Sequence, residues 1–123
     1  MTLSRRCLVA CFALSVLPNG LFADSKLEYN RDVRPILADA CFACHGPDSA
    51  ARKADLRLDL RDAAIKGEAI APGHPEKSEL VKRILSADES DVMPPPRTKK
   101  TLTPAQKDTL KRWIAEGAEY QAH

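Results

Sequence analysis

Apolar residues recur at helical spacing in three stretches of the chain, at residues 30–44, 76–86 and 104–117. A repeat near 3.6 residues places such residues on one face of a helix. The predicted apolar faces consist of Val33, Ile36, Leu37, Ala40 and Cys44 in the first helix, Leu80, Val81, Ile84 and Leu85 in the second, and Leu110, Trp113 and Ile114 in the third. No βαβ pattern interrupts them, so the sequence predicts an all-α fold with three main helices and long loops.

The last helix has the clearest boundaries. Thr103 is the predicted N-cap, Pro104 occupies the first helical position, and Gln106 completes a capping box. Gly117 is predicted to end this helix, because glycine tolerates the left-handed backbone common at helix C-termini.

The first helix has a weaker start. Asn30 is a plausible N-cap, but Pro35 is tolerated only near the beginning of a helix. Gly46 and the proline after it predict the end. Residues 48–61 then predict a polar loop with an extended piece, and residues 62–66 a short helical turn stopped by Gly67.

Residues 1–23 have the layout of a secretory signal peptide. Arg5 and Arg6 precede an apolar run from Cys7 to Leu17, and Ala23 supplies a small residue for cleavage. This run is shorter than the roughly 20 residues that span a bilayer. The sequence therefore predicts export to the periplasm or beyond, with residues 24–123 forming one mature domain.

Cys11 ends a short stretch that resembles a lipobox, but the apolar run before it is too short for a normal signal core. We therefore expect no membrane anchoring through Cys11, no uncleaved signal, and no transmembrane span in the mature chain. The formal charge of +2 falls to about zero once Arg5 and Arg6 are removed. A neutral mature domain gives no electrostatic basis for binding nucleic acid.

The mature chain keeps two cysteines, in the stretch CFACHGPD at residues 41–48. Cys41 and Cys44 could form a redox dithiol, half of a zinc site, a disulfide, or a haem attachment site. A redox dithiol is disfavoured at a helix C-terminus, where the helix dipole opposes a thiolate. Zinc needs four ligands, and His45 with the distant His74 completes such a set poorly. A disulfide here closes a tiny loop and stabilises little.

Haem attachment accounts for every residue of the motif. Cys41 and Cys44 would form thioethers with one covalent haem c, and the adjacent His45 would be the proximal iron ligand. Iron in electron-transfer haems commonly takes methionine as its second axial ligand. Met93, in the stretch DVMPPP, is the predicted distal ligand, with the loop residue His74 as the alternative.

The order of these elements resembles the small class I cytochromes c. The phrases YNRDVRPILADACFACHGPD, KADLRLDL, APGHPEKSELVKRI, MPPP and LTPAQKDTLKRWIAEGAEY resemble the planctomycete-type cytochrome c domain over nearly all of residues 28–120. The resemblance implies a fold around one haem in which the N- and C-terminal helices pack together. In that family the domain usually begins a much longer chain, so the sequence leaves open whether this chain acts alone or is part of a longer protein.

The predicted function is transfer of one electron at a time between redox protein partners, and not catalysis. The alternative is a haem peroxidase or a gas-binding protein with a labile sixth ligand. A peroxidase needs a distal acid–base side chain, and only His74 is available for that role. A third possibility is an exported interaction module in which the two cysteines form a plain disulfide.

Overall fold

The structure is a computed structural model that describes residues 25–123, and within this range the regular secondary structure is helical, with long loops and no strand. The predicted signal peptide, residues 1–23, and Cys11 lie outside the described residues. The helices within this range are α1 (Arg34–Ala40), α2 (Phe42–His45), α3 (Arg61–Lys66), α4 (Glu79–Leu85) and α5 (Pro104–Ala115). The predicted all-α class is confirmed, and α3 confirms the short helical turn expected at residues 62–66.

The first helical region is interrupted, so the prediction of one continuous helix over residues 30–44 is wrong. A π-helical turn, Tyr29–Val33, leads into α1. Pro35 lies in the first turn of α1 and has no backbone N–H. It therefore cannot donate the hydrogen bond that would extend a regular helix towards the N-terminus. At the other end, Cys41 has a φ of −126° and separates α1 from α2.

Asn30 is not the N-cap that the sequence predicted. Glu28 flanks the start of the helical region and makes no side-chain cap. The Asn30 side-chain amide instead donates to the carbonyl of Ala122, and its backbone N–H donates to Oε1 of Gln121, both at 2.8 Å. A contact with the far end of the chain has replaced the local cap.

The middle helix is also divided. The sequence predicted a helix over about residues 76–86 with Ser78 or Pro75 marking its start, whereas the structure has a 3₁₀ turn, Pro75–Lys77, followed by α4, which begins directly after Ser78. Ser78 lies between them, fully buried and extended. Its hydroxyl donates to the carbonyl of His74 at 3.0 Å and accepts the N–H of Ala71 at 2.9 Å. These bonds satisfy a buried polar group and hold Ser78 outside helical geometry.

The last helix begins as the sequence predicts. Oγ1 of Thr103 accepts the N–H of Gln106 at 3.1 Å, and Oε1 of Gln106 accepts the N–H of Thr103 at 2.9 Å. Pro104 takes the first helical position, and the helix ends at Ala115. Gly117 follows with a φ of +110°, the left-handed backbone expected after a helix.

One apolar cluster joins the helices. The π-helical turn and α4 both contact α5. The buried apolar residues are Tyr29, Val33, Ile36, Leu37, Leu58, Ala64, Ala69, Ile70, Leu80, Val81, Ile84, Leu102, Leu110, Trp113, Ile114 and Ala118. The cluster includes the residues expected to join the N- and C-terminal helices. Within residues 25–123, no helix is long and apolar enough to cross a membrane.

Three aromatic rings tie the C-terminal segment to the rest of the domain. Tyr120 stacks on Tyr29 with ring centroids 4.4 Å apart, and Trp113 lies 5.3 Å from Tyr120. The indole N–H of Trp113 donates to the carbonyl of Glu119 at 3.0 Å, and the Tyr120 hydroxyl donates to the carbonyl of Leu58 at 2.7 Å. The segment after α5 is therefore fixed to the loop that follows the cysteine motif.

Candidate functional site

The cysteine motif turns sharply at its end because of Gly46. Cys41 precedes α2, Cys44 lies within it, and His45 is its last residue. Gly46 is extended and buried, and a Cβ atom added there would collide with the carbonyl oxygen of Phe42. Only glycine fits this close approach of two backbone segments, so the turn after His45 depends on it.

The loop after the motif folds back onto it through main-chain hydrogen bonds. The N–H of Lys53 donates to the carbonyl of Cys44, and the N–H of Leu58 donates to the carbonyl of His45, both at 2.8 Å. Arg52 adds side-chain bonds of 3.2 Å to the carbonyls of Gly46 and its neighbour Pro47. The motif is thus held from outside its own helix.

The imidazole of His45 is oriented by the same loop. Its Nδ1 lies 3.2 Å from the carbonyl oxygen of Lys53, so a proton on Nδ1 is donated there. Burial lowers the pKa of His45, and the bond to Lys53 opposes this shift only in part. A neutral ring protonated on Nδ1 keeps the lone pair of Nε2 free to bind a metal.

Both cysteines of the motif are half-buried free thiols. Burial raises the pKa of Cys41 to about 11, with smaller contributions from the charges of Asp39 and Cys44. A redox dithiol requires a lowered thiol pKa, so this environment is the opposite of what that chemistry needs. Within residues 25–123, no three His, Cys, Asp or Glu side chains gather as a metal site would require.

Two neighbouring cavities of about 350 Å³ and 400 Å³ open beside the motif. Cys41, His45, Ala54 and Met93 line both of them. The first is lined also by Asp39, Ala40, Ala43, Cys44, Lys53, Glu89, Ser90, Val92, Pro94, Pro95, Arg97, Thr98 and Lys100, and the second by Asp55, Leu56, Leu58, Gly67, Ala69, Glu79, Leu80, Arg83 and Ile84. Residues far apart in sequence therefore surround two adjoining cavities, whose lining is largely apolar.

Met93 reaches this region from the loop after α4. Its backbone N–H donates to the carbonyl of Arg83, the third-last residue of α4, at 3.1 Å. Its side chain is half-buried, and the Met93–Pro94 peptide bond is cis. Met93 is thus brought to the same cavities as His45, although nothing in the local sequence requires it.

His74 does not line either cavity. Its Nδ1 lies 3.2 Å from Oε1 of Glu76, and 57% of its side chain is exposed. His74 was the alternative distal ligand and also the acid–base residue that a peroxidase would need. It is instead an exposed residue at the turn before α4.

The charged residues near the motif are largely engaged with the protein. Arg57 pairs with Asp59 at 2.6 Å, and this contact keeps the pKa of the Asp59 carboxyl low. Lys100 donates to Oδ1 of Asp39 at 2.9 Å, while Arg97 lines the first cavity. Within the basic stretch at residues 97–100, Lys100 is therefore bound to α1.

Two sets of side-chain contacts at the site were not predicted from the sequence. Arg52 binds the carbonyls that end the motif, and Arg83 holds the loop carrying Met93. The spacing of Glu79 and Arg83 on one helix predicts their ion pair, which is 2.9 Å long. No pattern in the sequence indicates that Arg83 also reaches Asp91, since that contact depends on the path of the loop.

Comparison with known families gives one match at this site. Residues 41–97 match the family model described as planctomycete cytochrome C, a range that starts at the first motif cysteine and includes Met93. Searches of curated proteins and of solved structures give no match to the chain.

Proposed function

Because this chain contains a planctomycete-type cytochrome c domain, we propose that it is an exported carrier of single electrons between redox proteins. In this proposal one covalent haem is attached through Cys41 and Cys44. His45 is the proximal iron ligand and Met93 the distal one. Bound haem iron supplies the redox chemistry by cycling between its ferric and ferrous forms.

The observation that carries this proposal is the meeting of Cys41, His45 and Met93 at two adjoining, mostly apolar cavities. A haem needs an apolar cleft, a free imidazole nitrogen and thiols at its edge. All three features are present, on side chains from the two ends of a range that includes α2, α3 and α4. The residues therefore fit the group that the family implies.

His45 has a positioning partner suited to this role. The carbonyl of Lys53 fixes one ring nitrogen and thereby the tautomer, so that Nε2 is the ligating atom. Such a bond to the other ring nitrogen also makes the ligand more basic. Burial disfavours the protonated ring, which could not bind iron.

Met93 would supply a thioether sulfur, which favours ferrous iron and raises the reduction potential. Leu58 and Leu80 line the second cavity and are buried, so they exclude water from the region beside His45. Exclusion of water strengthens electrostatic interactions within the site. The surrounding residues would thus hold the ligands and limit solvent access.

The first experiment tests covalent attachment. The full chain is expressed together with a cytochrome c maturation system, and the purified protein is extracted with acidified acetone. We expect the haem to stay with the protein, and we expect the double variant Cys41→Ala/Cys44→Ala to release it. A folded but colourless wild-type protein would contradict the proposal.

The second experiment tests the distal ligand. Replacement of Met93 by Ala should remove the long-wavelength charge-transfer absorption that a methionine sulfur gives to ferric haem. Val92→Ala is the matched control, since it changes the neighbouring residue and leaves the sulfur in place. An identical ferric spectrum in wild type and Met93→Ala would exclude Met93 as the ligand.

A further inference from the structure

The stretch from Asp91 to Lys100, here called the Met93 segment, is attached at both ends to helices that border the candidate site. At its start it is bound to α4, and at its end to α1. Met93 lies between the two attachments. Each attachment is an ion pair with additional hydrogen bonds.

The attachment to α4 centres on Arg83. Its Nη1 donates to Oδ1 of Asp91 at 3.1 Å and lies 3.5 Å from the carbonyl oxygen of the same residue. Its Nε donates to Oε1 of Glu79 at 2.9 Å, which holds the guanidinium in place from the preceding helical turn. The backbone carbonyl of Arg83 also accepts the N–H of Met93 at 3.1 Å. One residue therefore binds the segment through both its side chain and its main chain.

The attachment to α1 is made by Lys100. Its Nζ donates to the carbonyl of Asp39 at 2.7 Å and to the Oδ1 atom of the same residue at 2.9 Å. Asp39 precedes Cys41 by two positions, and Asp39 and Lys100 both line the first cavity. This contact therefore joins the Met93 segment to the helix that leads into the cysteine motif.

Between its two ends the segment has little freedom. Pro94, Pro95 and Pro96 follow Met93, and each proline has a fixed φ. The side chain of Thr98 donates to the carbonyl of Pro95 at 2.7 Å, and its backbone N–H donates to the same oxygen at 2.9 Å. Displacement of the Met93 backbone from the two cavities is thus opposed by both end attachments.

We infer that the pairs Arg83–Asp91 and Asp39–Lys100 form a two-ended clamp that sets how readily an external ligand takes the place of Met93 as the proposed distal ligand. This inference rests on the proposed function, since it takes Met93 as the distal ligand. The four clamp residues are positioning residues and do not touch the iron in this scheme.

The exposure of the clamp limits its strength. The side chains of Arg83 and Asp91 are 39% and 58% exposed, and those of Lys100 and Asp39 are 43% and 75% exposed. Exposed pairs of this kind change an equilibrium by roughly 1.5- to 5-fold. Because the two pairs share no residue and join the segment to different helices, their effects should multiply. Dissolved salt screens such exposed charges, so it should weaken the clamp.

The test is titration of the ferric, haem-loaded protein with imidazole, a neutral probe used above its own pKa. The variants are Asp39→Asn, Lys100→Gln and Arg83→Gln. Each should bind imidazole about two- to fivefold more tightly, because the open form available to the probe becomes more populated. Arg83→Gln combined with Lys100→Gln should show roughly the product of the two effects. In the wild type, affinity should increase with salt, and it should do so less in this double variant.

Matched controls separate the clamp from general charge effects. Lys82→Gln removes a cation next to Arg83 whose pair with Glu79, at 3.6 Å, does not involve the Met93 segment. Lys99→Gln removes an exposed cation next to Lys100 and leaves the bonds from Lys100 to Asp39 in place. Both controls should bind imidazole as the wild type does. Asp39→Asn and Lys100→Gln change net charge in opposite directions, so a shift of affinity in the same direction identifies loss of the contact.

The outcomes distinguish this inference from the proposed function. If Met93→Ala loses the methionine absorption while all three clamp variants bind imidazole as the wild type does, the clamp is overturned and the proposed function stands. Lower melting temperatures without a change in imidazole affinity would likewise reduce the clamp to a structural role. A wild-type protein without the methionine absorption overturns the distal assignment and, with it, the clamp.

Discussion

At the level of single residues, the site depends on atoms that belong to the main chain as much as on side chains. The carbonyl of Lys53 orients His45, and the carbonyl of Phe42 occupies the space where a side chain at residue 46 would be. Gly46 is therefore required by crowding, because its φ of −131° is accessible to any residue.

Replacement of Gly46 by Ala should lower both stability and haem attachment. The new methyl group must displace Phe42 or the turn after His45, and such overpacking costs about 1–3 kcal/mol. Thermal unfolding and the haem-to-protein ratio provide the two measurements. Gly73→Ala is the control, since the space around Gly73 is open but its φ is +81°. That control should lose stability through strain while attaching haem normally, and equal attachment in both variants would argue against the crowding explanation.

The sequence allowed prediction of the motif residues themselves, because Cys41, Cys44 and His45 are adjacent in sequence and their spacing has a chemical meaning. Met93 was predicted from the demand of the iron for a second ligand, and the structure brings it to the same cavities as His45. Their chemical roles stay predictions. The contacts of Arg83 with Asp91 could not be predicted, since they arise only when the loop after α4 turns back.

At the level of elements, a helix boundary was predicted correctly where the residues that determine it are neighbours in sequence. The start of α5 is encoded within four residues, from Thr103 to Gln106, and it was predicted correctly. The first helix was predicted as continuous because its apolar period continues through Cys41, where the backbone departs from helical geometry. A periodic pattern reports which face is buried, and it is insensitive to such local breaks.

Replacement of Thr103 by Ala should destabilise the domain by about 1 kcal/mol, because it leaves the N–H of Gln106 without its capping oxygen. Urea unfolding of the wild type and the variant provides the comparison. Thr101→Ala is the matched control, an exposed threonine shortly before the helix. A loss of the same size in both variants would show that the capping bond contributes little.

At the level of the whole molecule, the aromatic group of Tyr29, Trp113 and Tyr120 connects the first helical turn, the last helix and the C-terminal segment. Burial raises the pKa of Tyr29 to about 12 and also raises that of Tyr120. Both phenols must therefore stay neutral for these three parts to remain together.

Stability should fall steeply at alkaline pH for this reason. A tyrosine in the unfolded chain ionises near pH 10, whereas folded Tyr29 holds its proton to about pH 12. Between these values the unfolded state binds fewer protons, so the free energy of unfolding decreases as pH rises. Tyr29→Phe keeps the ring but has no phenol proton to lose. Over this pH interval its free energy of unfolding should therefore decrease less than that of the wild type, by about 2 kcal/mol in total. Denaturant unfolding of both proteins at several pH values measures this difference. Identical slopes of the free energy of unfolding against pH in the two proteins would contradict the prediction.

The main-chain bonds from Lys53 and Leu58 to the cysteine motif have a consequence for how this chain can vary. Because amide and carbonyl groups make these contacts, the contacts do not depend on which side chains residues 53 and 58 carry. A proline at position 53 or 58 would delete a donor, and a residue inserted or removed between positions 46 and 52 would shift the register of both bonds at once. These two bonds thus constrain the length of the loop more than its side chains at the donor positions.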